Sequence, residues 1–222
     1  MPHNVIFVVG APRTGTSILV KCLEKSGYNI GKKLFGHKYK SQDVVFRGYN
    51  RRVKELLIKQ LLKTKNLKQP IAPDGEIQAT IADFWKYAAL WNIEVLKDPL
   101  FYEIFGVWWN VSSVFRDQKF IWTHRNPMDV AKSAVRLKYL RGVPELEPIT
   151  SYKVMGRLKF YDAYQNIHEI YFPKCTGINV YFEDLLNDTQ AVADELSEFI
   201  GRKFDTSLIS KKETYKKTGI PQ

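Results

Sequence analysis

The feature that most restricts the fold is a buried strand followed at once by a glycine-rich turn and a helix. Val5 to Val9 is a continuous apolar run, and the segment from Gly10 to Ser17, GAPRTGTS, comes directly after it. A run that is apolar on both faces is typical of a strand inside a parallel sheet. Beyond the turn, apolar residues recur at helical spacing at Ile18, Leu19, Cys22 and Leu23. This strand, turn and helix predict an α/β protein.

The rest of the chain alternates short apolar strands with longer amphipathic helices. Strands are predicted over Ile93 to Lys97, Lys119 to Thr123 and Ile178 to Phe182. Helices are predicted over Arg51 to Lys65, Ile77 to Ala88, Asn126 to Leu140, Val154 to Tyr171 with Ile170 on its core side, and Asp188 to Gly201. This order predicts one domain, residues 1–222, with a parallel sheet flanked by helices and the P-loop architecture of nucleoside kinases. We expect the polar tail, residues 205–222, to be mobile.

Composition excludes several classes of protein. The two cysteines, Cys22 and Cys175, are far apart, which argues against a disulfide framework and against a C-x-x-C metal site. No apolar run approaches the ~18 residues of a membrane span, and no cationic segment leads into an apolar one at the N-terminus. The sequence therefore predicts a cytoplasmic protein without a transmembrane segment.

The positive charge is concentrated in one segment. The formal net charge is +11, and between Lys32 and Lys68 twelve Lys or Arg residues face only two acids. One interpretation is an electropositive face that meets an anion such as a nucleotide, an acidic glycan, a lipid headgroup or nucleic acid. The other is a solvated, lysine-rich helix face. No nucleic-acid-binding signature accompanies the charge, and the tryptophans fit core or pocket walls better than a stacking platform: Trp85, Trp91, Trp108 and Trp109. We therefore do not expect a nucleic-acid partner.

The glycine-rich turn has the form of a phosphate-binding loop. Backbone amides and the positive end of the helix create a site for an oxyanion, and the hydroxyls of Thr16 and Ser17 add donors. The spacing G-x-x-x-x-G matches a Walker A motif, but Thr16 occupies the place of its lysine. The only cation within the loop is Arg13, whose guanidinium can fork onto a terminal oxyanion without a metal.

A second segment, RNPMDVAKS, follows the strand that ends at Thr123. Arg125 closes the strand, and Ser133 lies eight residues later, two turns into the next helix. Both can face one anion at the carboxyl edge of the sheet, which is the usual ligand side of open α/β sheets. The structural alternative is that Arg125 binds a carboxylate and Ser133 fills a small packing site.

Together these segments resemble the sulfotransferase family, which uses 3′-phosphoadenosine 5′-phosphosulfate. Its first motif is similar to APRTGTSIL, Ala11 to Leu19, and its second to RNPMDVAKS, Arg125 to Ser133. VLKDPLF, Val95 to Phe101, is similar to the strand-end lysine segment, in the KDP form of tyrosylprotein-type and bacterial members. VYFEDLLND, Val180 to Asp188, resembles the Tyr-Glu-Asp-Leu segment near the adenine. The resemblance runs from Val5 to Phe204.

The resemblance implies a P-loop fold, a role for each motif residue, and no metal. Transfer would leave adenosine 3′,5′-bisphosphate, with Arg13 and Lys97 at the transferring group and leaving oxygen. Phe182 stands where many members have tyrosine, so it can stack on adenine but cannot donate a hydrogen bond. The residues implied for donor binding are Arg13, Thr14, Gly15, Thr16 and Ser17 at the phosphosulfate, Arg125 and Ser133 at the 3′-phosphate, and Phe182 at the adenine.

The sequence departs from the family pattern at two places. The Lys-Thr-His of cytosolic members is absent, so the general base stays open between Asp43, His37 and Asp98, each of which also has a purely structural interpretation. The C-terminal Arg-Lys-Gly that contacts the 3′-phosphate in cytosolic members has no clear match. The lysines that could replace it are Lys211, Lys212, Lys216 and Lys217.

The function indicated by the resemblance is sulfuryl transfer to a hydroxyl or amine of a small-molecule, glycan or lipid acceptor. The basic segment suggests that the acceptor is acidic, and the aromatic stretch Phe101 to Trp109 is expected to line its pocket. The acceptor itself and the oligomeric state are left open. Two alternatives are a P-loop nucleotide or metabolite kinase, for which Asp184 is the candidate metal ligand, and a non-catalytic basic anion-binding protein.

Overall fold

A four-stranded parallel sheet forms the centre of the protein. The computed structural model describes residues 4–35, 41–63, 73–99, 101–136 and 151–209. The strands of the sheet are β1 (Ile6–Gly10), β4 (Val95–Lys97), β5 (Lys119–His124) and β6 (Thr176–Tyr181), in the order β4-β1-β5-β6. A two-stranded antiparallel hairpin, β2 (Leu34–Phe35) and β3 (Gln42–Asp43), lies apart from this sheet. The predicted α/β class with a parallel sheet is confirmed.

Helices follow the strands in the order that the sequence predicts. They are α1 (Thr16–Lys25), α2 (Val44–Lys63), α3 (Gly75–Leu90), α4 (Phe105–Val111), α5 (Ser113–Arg116), α6 (Pro127–Arg136), α7 (Ser151–Tyr171), α8 (Phe182–Asn187) and α9 (Thr189–Ile200). Short 3₁₀ turns at Phe101–Ile104 and Phe172–Lys174 precede α4 and β6. At the start of α6, Asn126 Oδ1 accepts hydrogen bonds from the amides of Met128 and Asp129, as expected for an N-cap.

The sheet is covered on both faces, because successive side chains of a strand point to opposite sides. On β1, Phe7 and Val9 face a core rich in aromatic side chains that includes α2, α3 and α4, whereas Ile6 and Val8 face α1 and α9. The ring of Phe7 lies 5.0–6.1 Å from five other aromatic rings, those of Phe46, Trp85, Phe101, Phe115 and Phe120. Both faces of β1 are therefore buried, which is why it reads as an unbroken apolar run.

Several predicted boundaries differ from the structure, and two of them concern residues of the candidate site. The helix predicted from Arg51 begins at Val44, seven residues earlier, because Asp43 caps it through a 2.8 Å hydrogen bond from the Phe46 amide. The strand predicted to end at Phe182 ends at Tyr181, because Phe182 is the first residue of α8, where its side chain is buried. The described part of the chain contains no helix long and apolar enough to cross a membrane.

The expected positions of several apolar side chains also need correction. Three residues of the stretch from Phe101 to Trp109, which was expected to line a pocket, lie fully inside the aromatic core instead: Phe101, Phe105 and Trp108. Ile170 is half exposed rather than in the core. Trp91 is likewise exposed, and the Lys32 ammonium lies 4.2 Å from its ring centroid.

Candidate active site

The loop between β1 and α1 is held in shape by its own polar groups. The amide and hydroxyl of Thr14 both donate to the carbonyl of Ala11, and the same hydroxyl lies 2.7 Å from that of Thr123 on β5. A Cβ on Gly10 would overlap the Thr123 hydroxyl, so glycine is required at this position. The side chain of Thr14 thus stabilises the loop. The amides of Thr16 and Ser17 precede the first intrahelical hydrogen bonds, which the Gly15 carbonyl accepts from Ile18 and Leu19, so they can donate to an anion.

Two residues of this loop have positive φ angles. Gly15 precedes α1 with φ +95°, and a Cβ there would lie 2.6 Å from Cδ2 of Phe182. Arg13 has φ +83°, a conformation that is uncommon for a residue with a side chain. Because the loop turns this sharply, the Arg13 guanidinium is directed toward α6.

Arg13 connects the loop to the second predicted segment. Its Nε donates to Ser133 Oγ at 3.0 Å, and its carbonyl oxygen accepts from Nη1 of Arg125 at 3.2 Å. Arg125 and Ser133 are both buried, and the Arg125 guanidinium lies 4.5 Å from the ring centroid of Phe182. The structure therefore brings together four of the predicted site residues, although they come from three distant parts of the chain.

Lys97 approaches the same loop from the neighbouring strand. Its Nζ donates to Ser17 Oγ at 2.7 Å and contacts Ser41 Oγ at 3.4 Å, and only 5% of the residue is exposed. The pKa of Lys97 is lowered to about 8, chiefly by burial; the charge of Asp98 opposes this effect, and the Arg13 guanidinium adds to it. Lys97 is therefore a desolvated ammonium at the end of β4, pointed at the start of α1.

The three candidate bases have different surroundings. Asp98 is buried, follows Lys97 directly, and accepts a 3.1 Å hydrogen bond from Nδ2 of Asn50. Asp43 caps α2 and lies 3.3 Å from the Tyr87 hydroxyl, and burial raises its pKa. His37 lies outside the described residues, as do the four C-terminal lysines. Asp98 is thus the described carboxylate adjacent to the cation of β4.

The comparisons with known proteins agree with this geometry. A sequence model of the sulfotransferase family matches residues 5–206. The chain belongs to the sulfotransferase family. It is a transferase, and the resemblance of its motifs to the family is confirmed. A search of curated proteins finds no match to this sulfotransferase.

Solved structures with the same fold include two sulfotransferase domains. One is from the olefin synthase of Synechococcus PCC 7002, with 20% identity, a TM-score of 0.57, and coverage of 93% of this chain and 76% of that one. The other is from the curacin biosynthetic pathway, with 22% identity, a TM-score of 0.56, and coverage of 94% and 77%. At this level of identity the likeness concerns the fold alone.

The sulfotransferase also contains a polar cluster that the sequence analysis missed. Asn179 Oδ1 lies 2.9 Å from Nε2 of His124 and 2.8 Å from Nε2 of His168, and the two imidazole rings are 4.6 Å apart. Both histidines, with Arg125, line a cavity of about 480 Å³ between α7 and the ends of β5 and β6. Burial lowers the pKa of both, and that of His124 falls to about 4. No local motif announces this cluster, because its members come from three separate elements.

The basic segment is partly neutralised by acids from elsewhere. Arg52 pairs with Glu76 of α3, and Lys54 pairs with Glu103 of the turn before α4. Arg51 and Lys59 are exposed on the outer side of α2. These contacts favour the solvated-face interpretation for Arg52 and Lys54. The kinase candidate Asp184 lies exposed on α8, in the segment that resembles the family motif.

Proposed function

We propose that this sulfotransferase transfers a sulfuryl group from 3′-phosphoadenosine 5′-phosphosulfate to a hydroxyl or amine of its acceptor. The observation that carries the proposal is the convergence of three cationic side chains on the glycine loop: Arg13 within it, Lys97 on Ser17, and Arg125 on the Arg13 carbonyl. A donor with a phosphosulfate and a 3′-phosphate needs two anion sites a short distance apart. The loop and the Arg125–Ser133 pair supply two such sites.

The residues present fit this donor. Glycine at positions 10 and 15 lets the Thr123 hydroxyl and the Phe182 ring pack directly against the loop, which holds this aromatic ring beside the loop backbone. Phe182 presents an aromatic ring beside Arg125 and Gly15, suited to an adenine that stacks without a hydrogen bond. Arg13 replaces the Walker lysine, which supports neutralisation of a terminal oxyanion by a guanidinium.

Each residue then has a defined task. The bound donor supplies an activated sulfuryl group on a phosphosulfate anhydride. The amides of the first turn of α1 orient the phosphosulfate, and Arg125 with Ser133 fixes the 3′-phosphate. Lys97 and Arg13 stabilise negative charge that develops at the bridging oxygen, which is the largest contribution expected of such a site. Asp98, beside Lys97, is best placed of the described candidates to accept the acceptor's proton.

For the acceptor we propose an acidic small molecule, glycan or lipid. The support is the positive excess along the outer side of α2, where Arg51 and Lys59 are exposed. Long-range attraction of this kind raises the rate of association of an anionic ligand and weakens as salt is added. Cytoplasmic location and the absence of a nucleic-acid partner stay predictions from composition.

Calorimetric titration with adenosine 3′,5′-bisphosphate and with ATP tests the proposal. We expect the bisphosphate to bind and ATP to bind weakly. Arg125→Ala should weaken the binding of the bisphosphate by about tenfold to a hundredfold, which is the loss typical of one charged hydrogen-bonding group. Arg202→Ala is a matched control, because that guanidinium also stacks on an aromatic ring, Tyr28 at 4.2 Å, but pairs with Glu94 instead of lying at the loop.

Preference for ATP, or equal bisphosphate affinity in the Arg125 and Arg202 variants, would contradict the proposal. Sulfuryl transfer from the donor to a panel of acidic phenols and saccharides should continue in excess EDTA. Loss of transfer in EDTA with recovery by magnesium would instead favour the kinase alternative.

A further inference from the structure

Asn50 is a polar residue in the middle of an apolar helix face. It lies four residues after Phe46 and three before Val53 on α2, so all three share the side of the helix that faces the core. Phe46 and Val53 are fully buried, and Asn50 is only 3% exposed. Leucine has the same branched arrangement of side-chain heavy atoms and suits an apolar face better, so packing alone does not explain an amide at this position.

The Asn50 amide is directed at the end of β4. Its Nδ2 donates to Asp98 Oδ2 at 3.1 Å, across 48 residues of sequence. No residue that the structure describes forms a hydrogen bond with its Oδ1. A buried amide oxygen without a hydrogen bond lowers the stability of the fold. We therefore look for the role of Asn50 in its hydrogen bond to Asp98.

We propose that Asn50 is a positioning residue, whose amide holds the charged Asp98 carboxylate beside Lys97 so that Lys97 is an ammonium when the donor binds. The role of Lys97 rests on the proposed function. The hydrogen bond from Asn50 to Asp98 does not, because it is a contact of the protein itself.

The charges around Lys97 indicate why such a clamp matters. Burial and the Arg13 guanidinium both favour the neutral amine, and Asp98 is the neighbour whose charge favours the ammonium. The nearest groups from other elements are the hydroxyls of Ser17 and Ser41. On the elements packed around β4, Asp43 of the hairpin is engaged by the Phe46 amide and Tyr87, and Arg47 of α2 adds a further cation near Asn50.

Removing the amide should therefore lower the pKa of Lys97. Without this donor the Asp98 carboxylate is held less firmly beside Lys97, which weakens its effect on the neighbouring ammonium. In Asn50→Leu we expect the pKa of Lys97 to fall by about one unit, within the range of a single close charge. The alkaline limb of kcat/KM should move to lower pH by the same amount.

The pKa is measured by NMR on protein labelled with ¹³C at lysine Cε, with the Lys97 resonance identified by its loss in Lys97→Met. Val53→Ala is the matched control, since it removes buried bulk from the same face of α2 without touching Asp98. It should lose stability and leave the titration unchanged. Asp98→Asn should lower the pKa of Lys97 at least as far as Asn50→Leu, and adding Asn50→Leu to it should have no further effect. If Asn50→Leu fails to fold, Asn50→Ser serves in its place.

An unchanged or raised pKa of Lys97 in the Asn50 variants, or additive shifts in the double variant, would overturn the inference. The titration needs no sulfuryl donor, so the two proposals fail separately. A shifted titration in a protein that does not bind the bisphosphate would defeat the proposed function alone. An unshifted titration in an active enzyme would defeat only the positioning role of Asn50.

Discussion

Arg13 combines an unfavourable backbone conformation with a side chain to which we assign a role in the proposed transfer. At φ +83°, a residue with a Cβ is less stable than glycine by about 1 kcal/mol. This loss of stability accompanies a guanidinium that contacts Ser133 Oγ. Stability and activity should therefore change in opposite directions when Arg13 is replaced by glycine.

Arg13→Gly and Arg13→Ala separate the two effects. Both should lose about a hundredfold or more in kcat, since each removes one group that stabilises developing charge. The glycine variant should be more stable than the alanine variant by about 1 kcal/mol, because only glycine relieves the backbone. Urea denaturation and steady-state sulfuryl transfer measure the pair. Equal stabilities would mean that the loop relaxes in the variants, and normal turnover in either would remove Arg13 from the site.

At the residue scale, the predictable part of the site was the part carried by local motifs. Arg125 and Ser133 were placed on one anion from their spacing and the strand end, Arg13 was placed in the phosphate-binding loop, and the structure brings all three together. Asn50 and Asn179 were missed, because each acts through a partner far away in sequence. The only sequence signal for Asn50 was a polar residue on an otherwise apolar helix face.

The junction between β1 and α1 depends on glycine for two separate reasons. Gly15 has a positive φ, and its Cα faces the ring of Phe182 so closely that a Cβ would lie 2.6 Å from Cδ2. Gly27, just after α1, has a similar φ of +87° but has nothing within 4 Å of where its Cβ would lie. The two glycines therefore form a matched pair that differs only in steric contact.

Gly27→Ala should cost about 1 kcal/mol in the free energy of unfolding, the penalty for a Cβ in the left-handed region. Gly15→Ala should lower the free energy of unfolding by a further 1–3 kcal/mol, roughly the penalty of overpacking. It should also weaken the binding of the bisphosphate, because Phe182 must move. Chemical denaturation and calorimetry measure the two effects. If both variants lose the same stability and bind the bisphosphate as well as the natural protein does, then Phe182 can move freely and does not shape the proposed donor site.

At the element scale, the apolar stripe that located α2 did not show where the helix begins. The helix was predicted from Arg51 because the stripe starts at Val53, and the residues before it, Val44, Val45 and Gly48, are poor helix formers. The Asp43 cap and the burial of Phe46 extend the helix seven residues further back. The stretch from Phe101 to Trp109 shows a different difficulty. Its aromatic composition suits both a pocket wall and a core, and whether these rings are buried depends on the strands against which they pack.

At the scale of the whole molecule, the strand order assembles the site. β1 pairs with β4 on one side and with β5 on the other, all parallel, so their carboxyl ends lie at one edge. Lys97, the glycine loop and Arg125 each follow one of these three strands. The sequence predicted the strands and their direction but not which of them are neighbours, because pairing depends on contacts between distant segments.

The same edge contains buried histidines, which make the stability of the whole protein depend on pH. Burial lowers the pKa of His124 from 6.5 to about 4, so between these values the unfolded chain binds a proton that the folded protein does not. Stability is therefore complete above pH 6.5 and is lost as the pH falls toward 4. The expected loss attributable to His124 is about 3 kcal/mol over the full interval.

Urea denaturation at a series of pH values between 6.5 and 4.5 measures this dependence, in a range where most carboxylates are still charged. His124→Gln keeps a donor for Asn179 Oδ1 but cannot titrate, so its stability should vary much less with pH than that of the natural protein. The difference in the free energy of unfolding between the two proteins should become smaller toward pH 4.5, because the stabilisation that neutral His124 provides is lost when it is protonated. Parallel curves would mean that His124 titrates alike in the folded and unfolded states, and that the Asn179 cluster is not the origin of acid sensitivity.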